Sequence, residues 1–360
     1  MVDRIECLDV GQGTCNVIQL PGNRCIVVDV GPKVGWQVLA KKLNLDPDAK
    51  GPPVVIEALI LSHSHEDHFG ALSPLLQANG VKINQIFLTH DRESPKECPV
   101  LRVLNDAVEQ GLITRGQLTT RELDETGKPI VLFRSQELAD GPNGAVTLSL
   151  LYPTKQEAKV AREKDDQNLG SAILCLRVGE HRFLFPGDAS LVAFEAIAQR
   201  MPRPLELELI AVSHHGGNLW NGRFTEALSN RLKGVFNNHF KPRHAVISVG
   251  TSNTHGHPRQ YIIDALKSAG TYIMCTQLTC KCWKNNPDLE SARSFTLSAQ
   301  PPEFPGMGSK SEFRKNGRSS RVGCASTVVV RFEDQKPVIE RRNEHSQVID
   351  RIRKEGSALC

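Results

Sequence analysis

The sequence predicts an α/β domain, in which strands and helices alternate along most of the 360 residues. Short apolar runs such as 54–61 and 146–152 have the length and composition of buried strands. Between several of them lie stretches with the apolar spacing of helices, such as 100–110 and 261–268. This alternation is typical of layered α/β domains and not of helical bundles or β barrels.

Turn signals bound the predicted elements. Gly11–Thr14 and Pro21–Asn23 separate the first three strands, and Gly179-Glu180 links a hairpin. Strands are predicted over 5–10, 15–20, 24–30, 54–61, 83–88, 131–134, 146–152, 172–178, 182–185, 205–212, 245–249, 271–276 and 325–332. Helices are predicted over 35–44, 71–79, 100–110, 193–199, 261–268 and 346–354.

Composition is that of a soluble globular protein, since 39% of the residues are apolar and 23% are charged. No apolar run is long enough to span a bilayer, and the first residues lack the pattern of a secretion signal. The ten cysteines are therefore expected to be reduced thiols or metal ligands. We expect a cytoplasmic protein without membrane association. The net charge of +4 does not by itself indicate nucleic-acid binding.

The most informative stretch is Ser62–Gly70, directly after the predicted strand 54–61. It places three histidines and an aspartate within six residues, namely His63, His65, Asp67 and His68. Alternation along an extended chain puts His63 and His65 on one side, and the next two residues point elsewhere as the chain enters a helix. The segment can therefore supply ligands to two adjacent metal positions.

More polar residues follow other predicted strands, at the edge where layered α/β folds place their sites. They are Asp29, Asp188, His214, His215 and His257. Asp29 either orients a metal-binding histidine or caps a turn. The candidate ligands are His63 and His65 for one ion, Asp67 and His68 for a second, Asp188 as a bridge, and one of His214 and His215. Two such ions acidify a bridging water, which predicts metal-assisted hydrolysis.

These residues resemble the metallo-β-lactamase fold superfamily. Its His-x-His-x-Asp-His signature is similar to His63–His68, its Asp-x-Gly element to Asp29–Gly31, and its bridging aspartate to Asp188. A closer resemblance is to the hydrolase domain of bacterial DNA-uptake (competence, ComEC-type) channel proteins, here without channel segments. It is carried by Asp9–Gly13, Ser213–Gly216 and Ser248–Pro258, and it covers about residues 5–276. The resemblance implies a four-layer αββα sandwich with a C-terminal extension.

One position departs from the wider superfamily. Most members have another ligand histidine ahead of the bridging aspartate, where this chain has Asn168. The competence-type branch also carries Asp or Asn there. An oxygen ligand at Asn168 favours Mn²⁺ over Zn²⁺ more than an all-histidine site would. Alternatively, Asn168 is a turn residue and that ion is weakly held or absent. We expect two divalent ions, Zn²⁺ or Mn²⁺.

The resemblance also implies roles for the later histidines. Neighbouring residues at a strand end point in opposite directions, so one of His214 and His215 is expected to bind metal. Similar phosphorylcholine esterases favour His215 as the ligand and His214 as a proton donor or oxyanion stabiliser. Related phosphodiesterases place a histidine near the scissile group at the position of His257, whose alternative role is a simple cap. Asp67, which can orient the water, is the third expected catalytic residue.

Residues 1–284 are predicted to form the hydrolase domain, and 285–360 an extension packed on it with a long loop, a strand and a terminal helix. Cys275, Cys280, Cys282 and Cys324 are expected either to bind zinc or to be buried thiols. Lys310–Arg321 contains five basic residues and one acidic residue. It is expected to be either a phosphate-contacting loop or a solvated surface.

The predicted function is metal-dependent hydrolysis of phosphodiester bonds, with DNA or RNA as the substrate. The nuclease prediction rests mainly on the competence-type resemblance. Such a hydrolase could be the effector of a multi-protein system, for example in antiviral (phage) defence, with a protein partner encoded nearby. The alternatives are a small-molecule ester hydrolase of the phosphocholine esterase or lactonase type, and a metal-binding protein without catalysis.

Overall fold

A computed structural model describes residues 2–45, 52–89, 98–135, 145–250, 255–277, 279, 324–340 and 342–355. Several predictions concern residues outside these ranges. They are the basic segment Lys310–Arg321, the pair Cys280 and Cys282, the boundary between 284 and 285, and positions 251–254 of the competence-type block.

The described residues form sixteen strands and nine α-helices. The strands are β1 (Arg4–Cys7), β2 (Cys15–Leu20), β3 (Arg24–Val30), β4 (Val54–Leu61), β5 (Val81–Ile83), β6 (Ile86–Leu88), β7 (Leu118–Thr120), β8 (Ile130–Arg134), β9 (Val146–Tyr152), β10 (Ile173–Val178), β11 (His181–Phe185), β12 (Leu209–Ala211), β13 (His244–Ile247), β14 (Tyr272–Cys275), β15 (Val328–Glu333) and β16 (Lys336–Ile339). The helices are α1 (Trp36–Lys42), α2 (Glu66–Phe69), α3 (Leu72–Gln77), α4 (Pro99–Glu109), α5 (Lys155–Glu163), α6 (Leu191–Arg200), α7 (Glu226–Val235), α8 (Gln260–Ser268) and α9 (Arg342–Glu355).

The strands form two sheets. Within the described ranges, the first has nine strands in the order β16-β15-β1-β2-β3-β4-β6-β7, with β5 also paired to β4. The second has seven strands in the order β14-β13-β12-β11-β10-β9-β8. Each sheet has a parallel part: β3 runs parallel to β4, and β11 to β14 run parallel to one another.

Three apolar cores hold these layers together. Side chains of both sheets meet in the middle core, where Ile26 and Ile60 of the first sheet join Leu174 and Phe183 of the second. Helices α1, α3 and α4 pack on the outer face of the first sheet, and α6, α7 and α8 on the outer face of the second. The predicted αββα sandwich is thus confirmed.

Two local predictions were wrong or incomplete. The strand predicted over 205–212 is reduced to β12, because Glu206 has a left-handed φ of 50° that interrupts an extended chain. Helix α5 lies in a segment that the sequence marked only as charged. Its buried face consists of the small side chains of Ala158 and Ala161, which give little apolar signal within a charged segment.

The described part of the C-terminal extension continues the first sheet. β15 pairs antiparallel with β1, in a register that places Ile5 opposite Val330. In α9, His345 is buried, and its Nδ1 lies 2.9 Å from the Tyr272 hydroxyl. Cys275 and Cys324 are buried, with Cys324 Sγ 3.4 Å from His345 Nε2. None of the described helices is long and apolar enough to cross a membrane.

Candidate metal centre

The candidate ligands follow parallel strands of both sheets. His63 to His68 come directly after β4, Asp188 after β11, and His214-His215 after β12. The carboxyl ends of parallel strands share one edge of a sheet, and the two sheets are packed face to face. Side chains from distant parts of the sequence are therefore brought to one place, which local strand propensity alone would not accomplish.

The structure assembles these side chains into two overlapping groups. One consists of His63, His68 and Asp188, and the other of Asp67, His68 and His215. Within each group the possible ligand atoms all lie within 4.8 Å of one another. The first group is fully buried, whereas Asp67 in the second is partly exposed. Each group offers the mixture of imidazole and carboxylate that Zn²⁺ and Mn²⁺ accept.

The grouping differs from the pairs expected along the sequence. His65 belongs to neither group, and its Nδ1 lies 3.0 Å from His63 Nε2. His68 contributes to both groups, because α2 turns its ring between Asp188 and the second sheet's His215. The ring centroids of His68 and His215 are 5.3 Å apart. The assignment of individual ligands to individual ions remains a prediction.

Asp29 orients His68 from the side opposite to Asp188. His68 Nδ1 lies 2.8 Å from Asp29 Oδ2, and the Ser62 backbone N–H donates to Asp29 Oδ1 at 2.8 Å. The Ser62 hydroxyl is also 2.8 Å from Asp29 Oδ2. Asp29 is completely buried and has a left-handed φ of 56°. Of the two roles considered for Asp29, the structure therefore shows the contact that orients a histidine.

His215 is oriented in the same manner by the backbone. Its Nδ1 lies 2.9 Å from the carbonyl oxygen of Ser248, which can only accept a hydrogen bond. Nδ1 therefore carries the proton, and in the neutral imidazole the lone pair is on Nε2. That atom is 3.0 Å from Asp67 Oδ2 and 3.8 Å from Asp188 Oδ1. In this tautomer Nε2 is free to bind a metal ion.

Two buried atoms at the centre provide a test of whether a cation fits. His68 Nε2 and Asp188 Oδ1 lie 2.9 Å apart, which is an ion-pair distance. Apart from this mutual contact, neither atom has a hydrogen-bond partner within the described ranges. Buried polar atoms are rarely left in this state unless a ligand, ion or water satisfies them. The donor set and these two atoms thus fit a divalent cation.

The charges of the site favour a cation. Burial lowers the pKa of His68, but the carboxylates of Asp188 and Asp29 outweigh it and hold that pKa well above its usual range. Burial raises the pKa of Asp188, but the imidazoles of His68 and His215 reverse this and hold it well below the usual range. Burial, together with His68, lowers the pKa of His63 and keeps it neutral. A field that attracts a proton to this point also attracts a metal ion, so the two compete.

His214 and His257 line the outer side of the centre. His214 Nε2 is 3.9 Å from Asp188 Oδ2, and Nδ1 lies 2.7 Å from the carbonyl oxygen of Asn218. The rings of His214 and His257 are 5.4 Å apart. Burial lowers the pKa of His257 to about 3, so this imidazole stays neutral near pH 7. His214 and His215 both have left-handed backbone angles, so their separation does not follow strand alternation.

Asn168 lies in a turn and also faces the site. The Ser171 backbone N–H donates to the Asn168 carbonyl at 3.3 Å, which closes the turn. The side-chain Oδ1 of Asn168 is buried and has no hydrogen-bond partner in the part of the chain that the structure describes. Asn168, Asp188 and His214 line one cleft of about 520 Å³. The role of Asn168 as a ligand stays a prediction.

A comparison with protein families finds a match that includes part of this site. Residues 8–90 match the family model of the metallo-beta-lactamase superfamily, a range that includes Asp29 and the whole His63–His68 cluster. These residues belong to the metallo-β-lactamase superfamily. The chain thus combines a metallo-β-lactamase-like region with a candidate His/Asp metal site. The resemblance predicted from the motifs is confirmed.

One individual protein is similar to this chain over most of the chain's length. ComE operon protein 3 of Bacillus subtilis (strain 168) is 22% identical over 287 residues, which are 76% of this chain. The matched region is 31% of that relative, so this chain spans about a third of its length. The confirmed resemblance therefore extends to the competence-type branch.

Solved structures with a similar fold cover comparable parts of the chain. The metallo-beta-lactamase fold protein YhfI from Bacillus subtilis is 14% identical with a TM-score of 0.41, over 76% of this chain and 96% of that one. The short form of human tRNase Z is 13% identical with a TM-score of 0.39, over 74% and 89%. CmlA, a diiron beta-hydroxylase from Streptomyces venezuelae, is 13% identical with a TM-score of 0.42, over 76% and 52%.

The candidate metal site also depends on residues to which the sequence analysis gave no individual role. Ser171 is buried, and its hydroxyl accepts a hydrogen bond from the Asp188 backbone N–H at 3.0 Å. Gly13 lets the chain pass close to α2, since a Cβ there would lie 2.6 Å from the Asp67 carbonyl. The Ser248 hydroxyl donates to the Gly13 carbonyl at 2.6 Å. Gly13 and Ser248 lie inside the competence-type motifs, and this position was the signal in the sequence that could have identified them.

Asp29→Asn is expected to weaken metal binding about 10- to 100-fold, the usual effect of changing a residue that orients a metal ligand. An amide can accept a bond from only one side, so its NH₂ group would face either the Ser62 N–H or the His68 imidazole. Competition with a chelator of known affinity measures the change. Asp264→Asn, an exposed aspartate of α8, is the control. Unchanged affinity in Asp29→Asn would contradict the role given to Asp29.

Proposed function

We propose that the protein is a divalent-metal-dependent phosphodiesterase and that its substrate is nucleic acid. The observation that carries the proposal is the pair of overlapping ligand groups around His68 and Asp188. Asp188 and His214 line a cleft of about 520 Å³, so the centre is accessible to a substrate at the side of His214. This arrangement of imidazole and carboxylate ligands is suited to hydrolysis at a binuclear metal centre.

The ligands proposed for the two ions combine the sequence motif with the observed groups. They are His63, His65, His68, Asp67, Asp188, Asn168 and His215, with Asp188 as the bridge. When bound, the ions would polarise a phosphoryl oxygen and acidify the attacking water. We propose Zn²⁺ or Mn²⁺, and the oxygen of Asn168 favours Mn²⁺.

The remaining side chains supply the proton steps and the orientation. Burial raises the pKa of Asp67, but its contacts with the imidazoles of His215 and His68 outweigh burial and lower that pKa, so Asp67 keeps its carboxylate charge. It can accept a hydrogen bond from the attacking water. His214 donates through Nδ1 to Asn218, so Nε2 is the atom available to the substrate. When His214 is protonated, Nε2–H can protonate the leaving oxygen as the P–O bond breaks. The neutral imidazole of His257 can hydrogen-bond a phosphoryl oxygen.

The choice of nucleic acid rests on the competence-type resemblance over residues 5–276. ComE operon protein 3 supports that branch, although the match spans 31% of it. We extend the proposal to a hydrolase that works in the cytoplasm as the effector of a multi-protein defence system, with a partner encoded by a neighbouring gene. The resemblance is its support, and an isolated gene would count against it.

Cleavage of DNA and RNA by wild type and Asp67→Ala tests the proposed function. Wild type is expected to cleave plasmid or oligonucleotides in Mn²⁺ or Zn²⁺, to stop on chelation, and to bind more weakly as salt rises. Asp67→Ala should lose at least about 100-fold in rate, the size of effect typical of a positioned catalytic group. Asp264→Ala is the matched control and should retain wild-type activity. If no nucleic acid is cleaved with Mn²⁺, Zn²⁺ or Mg²⁺, the proposed function is wrong.

A further inference from the structure

Three aromatic side chains form a cluster at the cleft that Asp188 and His214 line. Trp220, Phe224 and Tyr261 are mutual neighbours, with ring centroids 4.8 Å apart for Trp220–Tyr261, 4.9 Å for Phe224–Tyr261 and 6.1 Å for Trp220–Phe224. Trp220 lines the same cleft as Asp188 and His214. The cluster is therefore an apolar wall that begins inside the candidate active site.

The cluster is also connected to His214 by hydrogen bonds. Asn218 accepts a bond from His214 Nδ1 through its backbone carbonyl. Through its side-chain Oδ1 the same residue accepts a bond from the Tyr261 hydroxyl. Asn218 thus fixes the position of the aromatic cluster relative to an imidazole that faces Asp188. A ligand lying on the cluster would have a defined position with respect to the metal centre.

Phe224 gives the cluster an open face. Its ring is stacked on Tyr261, with 20° between the planes, yet 53% of the residue is exposed to solvent. Tyr261 covers one side of the ring, so the exposed area includes the other. A phenyl ring left in water next to an active-site cleft is available to a flat ligand. The cleft that Trp220 lines also carries the charges of Lys164, Asp166 and Arg231.

We infer that Trp220, Phe224 and Tyr261 form a nucleobase-stacking subsite, and that the substrate is single-stranded or locally unpaired nucleic acid. This rests on the proposed function and specifies its substrate class. Stacking on aromatic side chains accepts any base, because every base has a π-face. In a duplex both faces of each base are covered by neighbouring pairs, so only an unpaired base can lie on Phe224.

The orientation of the rings distinguishes this subsite from an aromatic cage for a quaternary ammonium group. A cage directs several ring faces toward one central cation. Here the planes are inclined by only 20° to 39°, and Tyr261 packs directly against both other rings. The rings therefore pack against each other and leave no space between them for a ligand. A flat base added to the outer face of Phe224 extends the stack, whereas a spherical cation finds no enclosed centre.

Binding by the full-length, metal-loaded protein tests the inference. The probe is a cleavage-resistant phosphorothioate oligonucleotide, used single-stranded, as a duplex, and with abasic sites. We compare wild type, Phe224→Ala and Phe224→Trp, with Val131→Ala, an exposed apolar residue of β8, as the control. Phe224→Ala should raise the Kd for the single strand roughly 5- to 100-fold, whereas Phe224→Trp should restore wild-type affinity. The duplex and the abasic strand should bind wild type more weakly and respond little to Phe224→Ala.

Cleavage of an ordinary oligonucleotide by the same proteins separates the two proposals. If wild type cleaves it and Phe224→Ala binds and cleaves equally well, the stacking subsite is wrong and the proposed function stands. If wild type neither binds nor cleaves any nucleic acid, both are wrong. Phosphocholine is included as a further ligand. If it binds in a manner that depends on Phe224 while the oligonucleotide does not bind, the subsite serves a small ester and the inference is overturned.

Discussion

Asp188→Ala is expected to lower phosphodiester hydrolysis on the order of 10³-fold or more and to reduce the bound metal to a trace. Asp188 reaches four imidazoles, with its oxygens 2.9 Å from His68 Nε2, 3.7 Å from His63 Nε2, 3.8 Å from His215 Nε2 and 3.9 Å from His214 Nε2. The bridging role proposed for Asp188 rests on these contacts. Metal ions contribute several kcal/mol of transition-state stabilisation, and each 1.4 kcal/mol or so corresponds to a factor of ten.

The measurement pairs the hydrolysis rate with metal content after dialysis. Asp188→Asn is the informative companion variant, since it keeps the size and one oxygen while removing the charge. It should retain more metal than Asp188→Ala and less than wild type. A circular dichroism spectrum establishes that each variant is folded. If Asp188→Ala is folded and keeps both its metal and its activity, the bridging role of Asp188 is wrong.

Gly187→Ala is expected to have the second-largest effect, lowering the free energy of unfolding by about 2–4 kcal/mol and weakening metal binding as well. Gly187 has a left-handed φ of 52°, which costs another residue about 1–2 kcal/mol. A Cβ at this position would collide with the Ser171 hydroxyl, and would lie 2.6 Å and 2.7 Å from Oγ and Cβ of Ser62. Further strain arises because these neighbours are buried and cannot move aside freely.

The loss should extend to the metal centre because both neighbours of Gly187 position ligands. Ser171 holds the Asp188 backbone N–H, and Ser62 contacts Asp29, which orients His68. Chemical denaturation and metal titration measure the two effects. Gly234→Ala is the matched control, since a Cβ there meets nothing within 4 Å and the residue lies in helix α7. It should be neutral or slightly stabilising. Equal stability of Gly187→Ala and Gly234→Ala would contradict the prediction.

Much of the metal centre could be predicted because its parts are local. The His63–His68 cluster is contiguous, and Asp29 and Asp188 each stand at the end of an apolar run, so short-range patterns located them. Gly13 lies in a competence-type motif, and Gly187 directly precedes Asp188. Glycine is needed at these positions because the backbone passes close to Asp67 and Ser62, respectively, and this approach depends on the packing of distant segments.

The parts that could not be predicted depend on through-space geometry. Alternation along an extended chain paired His63 with His65, but α2 turns His68 toward both Asp188 and His215. Ser171 touches Asp188 only because β10 and β11 are neighbours in the second sheet. The backbone angle of Glu206, which shortens β12, has no signature in apolar periodicity. Phe224 was not predicted as a site residue, because its contacts with Tyr261 and Trp220 are visible only in the structure.

We propose that the strand ends of the two sheets form a binuclear metal site. The number of metal ions bound per chain tests this proposal most directly. Purified protein is loaded separately with Mn²⁺ and Zn²⁺, dialysed, and analysed for metal per chain by elemental mass spectrometry. Wild type is expected to retain about two ions per chain, and Asp188→Ala only a trace. A folded wild-type protein that retains neither Mn²⁺ nor Zn²⁺ would contradict the proposal.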